Sequence, residues 1–298
     1  MMTSSRRDFL RTAVLLSAAV PLAAAGCSTT DPEEERSGGG TLQKAKDAGS
    51  ITVGFANEAP YGYTDKSGKL TGEAPELARA IFKTLGIDEV KGVQVDFGGL
   101  IGGLNAKRFD AIAAGMFITP ERCASAAFAN PEYVAKSAFM VRKGNPKGLK
   151  GAKDPAAKGV KVGVMTGAVE ATYAEKTGVS KGNIKTFADQ PSAFEGLKAG
   201  RIDCIWLTRI SLADLLSKHE NEGFEVTEPF TPVIDGKEQF GAGAFAFRKA
   251  DSDLLTAWNT ELDKLKQQNK LLPVLQPFGF TQAEMPTADD TAAKFCKG

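Results

Sequence analysis

One seven-residue pattern occurs twice in this chain of 298 residues, and it constrains the fold more than any other feature. Leu104-Asn105-Ala106-Lys107-Arg108-Phe109-Asp110 resembles Leu197-Lys198-Ala199-Gly200-Arg201-Ile202-Asp203. Each copy reads as a helix end, a basic residue, and an aspartate that enters a short apolar run. Runs of four or five apolar residues bounded in this way are strands buried on both faces. A helix that feeds a buried strand is half of an α/β unit, so two copies predict two such units, each with its own parallel-rich sheet.

The flanking sequence supports the same rhythm. Ile51 to Phe55 reads as a strand, Pro75 to Leu85 as a helix, Val93 to Phe97 as a second strand, and Leu100 to Lys107 as a short helix. Asp110 to Ala114 is a third, buried strand, and Pro120 opens a further helix, where proline suits the first turn. A Gly-, Lys- and Pro-rich linker (142–159) precedes the repeat: strand 160–164, helix 168–176, strand 184–187, helix 191–199 and strand 203–207. The apolar runs Ala138 to Val141 and Ala244 to Phe247 both close in basic residues and are predicted to be two hinge strands. Helices after residue 250 then return to the first lobe. The expected fold is an α/β, two-lobed chain: lobe 1 over 50–140, lobe 2 over 141–244, and lobe 1 again over 245–298. A chain of this length is long for one core and comfortable for two.

The first 27 residues read as an address. Ser5-Arg6-Arg7-Asp8-Phe9-Leu10 precedes the apolar run Ala13 to Ala25, which is short for a permanent span and ends at Ala24-Ala25-Gly26 before Cys27. Such a segment is expected to be removed, leaving Cys27 to be lipidated. The twin arginines resemble a Tat export signal, with the Sec route as the alternative. Residues 28–49 are expected to form a flexible tether, since 28–40 is polar and ends Ser-Gly-Gly-Gly.

Charge and cysteines exclude more than they assign. Net charge is +1, and the leader holds three arginines against one aspartate, so the remainder sits near −1. With no basic stripe, nucleic acid is not an expected partner. Beyond Cys27 only Cys123, Cys204 and Cys296 remain, which allows at most one intramolecular disulfide. Cys204 lies in an apolar run and is expected buried, so Cys123 with Cys296 is the preferred pair. The sole histidine, His219, sits in the polar stretch Ser217 to Glu220 and is expected solvated. No metal spacing, G-x-S-x-G motif, phosphate loop or dinucleotide fingerprint is present, so no cofactor, metal or catalytic residue is expected.

The chemistry-bearing residues follow the first lobe's strands. Glu58 and Tyr61 come after the first, Phe97 ends the second, and Gly115, Phe117 and Arg122 follow the third. In open α/β sheets ligands sit beyond the carboxyl ends of the strands, so these residues should converge. Aromatic faces attract a delocalised cation, and a guanidinium holds a carboxylate through two parallel bonds. The set suits a small zwitterion. Trp206 and Phe245, both mid-strand, are assigned to packing.

Gly68 to Ala78, the Arg108-Phe109-Asp110 strand entry and Ile118-Thr119-Pro120-Glu121-Arg122 resemble the polar amino-acid family of periplasmic-type solute-binding proteins of ABC importers. The resemblance covers about residues 50–285. It implies a type II periplasmic-binding-protein fold with two hinge strands, a monomer, permease subunits as partners, and Arg122 on a ligand carboxylate. Two positions depart from the amino-acid binders. Phe117 stands where a small polar residue is usual, and Thr208 where an aspartate usually takes the α-ammonium. Phe55 to Tyr63 and Ala113 to Cys123 are similar to the ectoine/hydroxyectoine-binding subgroup. That resemblance implies an aromatic cage of Tyr61, Phe97 and Phe117, with Glu58 on the ring N–H groups. Thr166, Gly167 and Ala168 precede a helix, so their backbone N–H groups could also reach the carboxylate. The expected function is lipoprotein capture of ectoine-type solutes by hinge closure. The alternative is a polar or cationic amino acid as ligand. A remoter one is a dehydratase using Glu58 or Glu170 as acid, although neither has a second catalytic group beside it.

Overall fold

The structure, a computed structural model, describes residues 40–297. The leader, Cys27 and the tether up to residue 39 lie outside the described residues. The predicted tether (28–49) gives way at its end to helix α1 (Thr41–Ala48), which buries Ala45 and is closed by Gly49 in the left-handed region. The Gly-rich approach hides this short amphipathic turn of chain.

Lobe 1 begins with β1 (Ser50–Phe55), α2 (Glu73–Thr84), β2 (Glu89–Gln94), α3 (Leu100–Asn105), β3 (Ala111–Ile112), α4 (Pro120–Cys123) and β4 (Ala127–Phe128). The chain leaves through β5 (Tyr133–Ala135) and enters lobe 2 with β6 (Ser137–Arg142). There β7 (Val162–Met165), α5 (Val169–Lys176), β8 (Ile184–Phe187), α6 (Gln190–Lys198), β9 (Cys204–Thr208), α7 (Arg209–Ser217) and β10 (Phe224–Val226) follow. A hairpin of β11 (Val233–Ile234) and β12 (Lys237–Glu238) leads into β13 (Gly241–Gly243), which returns to β14 (Ala246–Phe247) in lobe 1. Helices α8 (Ser252–Gln267), α9 (Leu271–Leu275) and α10 (Ala292–Lys297) complete that lobe.

The two five-stranded sheets run β2-β1-β3-β14-β4 and β8-β7-β9-β6-β10. In each, the first three strands are parallel and the fourth is antiparallel to the third. The repeated motif does the same work in both. The Asp110 carboxylate accepts from the Thr52 N–H (3.3 Å), and that of Asp203 from the Lys161 N–H (2.8 Å). The adjacent Phe109 and Ile202 are buried against Gly54 and Gly163, glycines of the neighbouring strands.

The crossings differ in place from the expected ones. Ala138 to Val141 is not a hinge but the interior of β6, paired along its length with β9. Ala246 and Phe247 belong to the first sheet. The connections are β5 and β13, which pair antiparallel as a separate two-stranded ribbon. A continuous apolar run is what a central strand buried on both faces requires. The ribbon itself is short and glycine-containing, and carries no such signal.

Phe97 opens a single 3-10 turn (Phe97–Gly99) after β2 instead of ending the strand. Trp206 and Phe245 are fully buried core residues. Cys204 is a free, buried thiol, whereas Cys123 and Cys296 form a disulfide with Cα atoms 5.7 Å apart, pinning α10 to α4. His219 is half-buried: its ring lies on Phe194 (centroids 4.2 Å apart), with Nδ1 2.6 Å from Glu222 Oε1.

Candidate functional site

Lobe 1 presents its site residues on the loops that leave β1, β2 and β3. Gly115 turns there at φ +58°, and a Cβ on it would meet the Tyr61 ring at 2.5 Å, so this position admits the ring only because it is glycine. Thr119 caps α4 by accepting from the Arg122 N–H (3.2 Å), and Pro120 takes the first helical position. That tight cap fixes the direction of the Arg122 side chain. Its guanidinium lies over the Phe97 ring, 5.3 Å from the centroid, and donates to the Phe117 carbonyl oxygen (2.7 Å). Burial pulls Arg122 below its ordinary value, while a guanidinium stays charged throughout the accessible range.

Behind this front lies a stack of rings. Tyr61 stacks on Tyr133 (5.2 Å between centroids), Tyr133 sits 6.3 Å from Phe117, and its hydroxyl donates to the Gly115 carbonyl oxygen (2.8 Å). Two carboxyl groups are buried beyond them. Glu73 and Glu132 are fully buried, and neither carboxylate has a hydrogen-bond partner among the described residues. Burial raises both: Glu132 is pushed up to about 8, and Glu73 well above its ordinary value, with Glu132 pressing it further.

Lobe 2 meets this surface with short side chains and backbone. The Tyr61 hydroxyl and Thr208 Oγ1 are 2.7 Å apart. Ser211 Oγ donates to Glu58 (2.8 Å), and Gln190 Nε2 donates both to the Ala59 carbonyl oxygen (3.0 Å) and to Ser211 Oγ (2.8 Å). Arg122 reaches across to the Gly167 carbonyl oxygen (2.9 Å). At that crossing the backbones nearly touch: Gly167, at φ +80°, would place a Cβ 2.5 Å from the Gly98 Cα.

Glu58, Tyr61, Phe97, Gly115, Phe117, Arg122, Ala168 and Thr208 line one cavity, together with Val169, Glu170 and Leu207. Measured as space for the centre of a water-sized sphere, it holds about 30 Å³, against about 1010 Å³ for the open groove beside it. The smaller space admits a water or two but no ring-sized solute. Admission of a ligand therefore requires the cross-lobe bonds to open. Glu58 is pushed up to about 8, chiefly by burial, which the Ser211 hydrogen bond opposes. Glu170 is raised to about 7, again chiefly by burial, with Arg122 pulling it back.

The second-lobe turn behaves differently from its expected role. The Thr166 N–H and hydroxyl both donate to the Phe187 carbonyl oxygen, and the Ala168 N–H donates to Met165. Thr166 lies outside the cavity lining, and Gly167 lines the adjoining groove. Two of the three N–H groups that could have reached a carboxylate are thus engaged, and Gly167 offers its carbonyl oxygen to Arg122. Sequence reasoning left Ser211, Gln190 and Tyr133 out of the site. Among the described residues no cluster of three His, Cys, Asp or Glu side chains could hold a metal ion.

Comparison with known proteins places this geometry. Residues 51–279 match the family model for bacterial extracellular solute-binding proteins, family 3. A probable amino-acid ABC transporter periplasmic-binding protein of Sinorhizobium fredii is 35% identical over 257 residues, covering 85% of each chain. The crystal structure of EhuB in complex with hydroxyectoine is similar, with a TM-score of 0.78 and 36% identity over 86% of this chain and 97% of that one. An ancestral arginine-binding protein bound to arginine gives a TM-score of 0.69 and 30% identity, covering 78% and 99%.

Proposed function

The chain belongs to family 3 of the bacterial extracellular solute-binding proteins, and on that premise we propose that it captures ectoine or hydroxyectoine for an ABC importer. The observation that carries this reading is the meeting of Glu58, Tyr61, Phe97, Phe117 and Arg122 around one cavity. Phe97 and Phe117 offer faces to a delocalised amidinium, for which compact ionic partners are not needed. Glu58 accepts from the ring N–H groups, and Arg122 exchanges its carbonyl partners for the ligand carboxylate, a stronger, charge-assisted pair. Thr208 stands where a second acid would be needed to hold a primary ammonium.

Closure follows from the same contacts. Ligand bound to lobe 1 favours the state in which Thr208, Ser211 and Gln190 bond across the cleft, and the population shifts toward the closed form. Delivery to permease subunits then uses that closed form. No helix among the described residues is long and apolar enough to cross a membrane. We assign membrane attachment to a lipid on Cys27, export to the twin-arginine leader, and action as a monomer.

The test is calorimetry with ectoine, hydroxyectoine, arginine, glutamine and betaine. Micromolar or tighter binding of ectoine or hydroxyectoine is expected. Binding of an amino acid at that strength without ectoine overturns the assignment. The buried Glu170 on the cavity wall favours a cationic amino acid as the second reading, since it adds a second acid to the site.

A further inference from the structure

Two carboxyl groups and a guanidinium face the cavity: Glu58 and Arg122 from lobe 1 and Glu170 from lobe 2. Two have partners. Glu58 accepts from Ser211, and Arg122 donates to the carbonyl oxygens of Phe117 and Gly167. Glu170, in the first turn of α5, is 4% exposed, and among the described residues no other residue donates to its carboxylate. Arg122 supplies an opposite charge but no hydrogen bond to it, and a buried acid so placed sheds the cost of ionisation by holding a proton. We infer that Glu170 is a specificity-determining residue that reads the net charge of the ligand. This rests on the proposed contacts of Arg122 with a carboxylate and Glu58 with a cationic group.

A zwitterion satisfies Arg122 and Glu58 and brings nothing to oppose Glu170, which then keeps its proton, or takes one up, as a neutral carboxylic acid. A ligand of net charge +1 carries one more positive group, and Glu170 receives it as a carboxylate after losing its proton. The groups that act on Glu170 from the packed elements are Arg122 on α4, which favours the anion, and Glu58 after β1, which opposes it. Tyr173 on its own helix is held neutral well above the physiological range. Glu58 meets a cation from either ligand class, so its titration is common to both. Glu170 alone separates them.

Calorimetry in buffers of different ionisation heat counts the protons exchanged on binding. With ectoine at pH 8, the unliganded Glu170 is largely ionised, so the wild type should take up close to one proton more than Glu170→Gln. With arginine at pH 6, the wild type should release close to one proton more than the variant. Glu170→Gln should lower the affinity for arginine more than the affinity for ectoine, since the amide keeps the shape but cannot become an anion. Equal proton counts in wild type and variant for a ligand that binds overturn the inference, as does equal loss of affinity for both ligands. Should the variant fail to fold, the wild type suffices: its proton counts with ectoine and with arginine must differ by about one at pH 7. If ectoine does not bind, the ectoine assignment falls while the arginine arm still tests Glu170. If neither ligand binds, both fall.

Discussion

The two lobes share a sheet order, a strand-entry motif and even the hydrogen bond that motif makes, yet they equip the cleft differently. Lobe 1 places three rings, an acid and a guanidinium beyond its strands. Lobe 2 places a threonine, a serine, a glutamine, the Gly167 turn and one buried acid. The rings of lobe 1 are locked from behind by Tyr133 and by Gly115, so they offer a preformed surface. The polar groups of lobe 2 bond mainly to lobe 1 itself. One architecture thus serves as reader and the other as clasp, and the division lies in the loops rather than in the sheets.

The sharpest way to break that division is Arg122→Ala, which should weaken ectoine binding about a hundredfold by removing a charge-assisted bond of roughly 3 kcal/mol, read by calorimetry. A loss below tenfold would mean that lobe 1 does not hold the carboxylate. Phe117→Ala should cost at least tenfold by opening the cage; an unchanged affinity removes the aromatic reading. Thr208→Val tests the clasp. It leaves the buried Tyr61 hydroxyl and the Ser211 N–H without their Thr208 partner, and should weaken binding about fivefold (about 1 kcal/mol), with small-angle scattering showing a more open ensemble. A larger effect than that of Phe117→Ala would reverse the roles assigned to the lobes.

The smallest effect concerns stability. Glu73 and Glu132 are raised by burial, Glu132 to about 8, so the stability linked to them is fully present below the ordinary carboxylate range and is lost as pH rises through about 8. Melting temperature should therefore fall between pH 5 and pH 8.5, and Glu132→Gln should flatten that fall by a few degrees. A melting temperature that rises over this interval, or is unaltered by the substitution, contradicts the assignment.

Much of this was legible in the sequence because local chemistry and global fold agree there. Asp110 and Asp203 announce two buried strands, and Thr119-Pro120 announces the cap that aims Arg122. The crossings were not legible. An apolar run such as Ala138 to Val141 looks alike whether it spans a core or joins two, while the true ribbon, Tyr133 to Ala135 with Gly241 to Gly243, is too short to show a period. Ser211 and Gln190 escaped because their partners, Glu58 and Ala59, lie 153 and 131 residues away. Glu170 was visible, but an acid in a first helical turn is ordinary on electrostatic grounds, which masked its burial against the site.

The Cys123–Cys296 bond closes a ring whose sequence separation is 173 residues. Both passages between the lobes lie within that ring, and so does every residue of lobe 2. In its oxidised form the molecule is a loop with α1 to β3 strung ahead of it, and lobe 2 is a bight in it, tied at its neck. A single cut anywhere in lobe 2 would leave both fragments covalently joined, with the Arg122 helix still moored to the C-terminus. A peptidase acting within lobe 2 would have to cut twice to release anything.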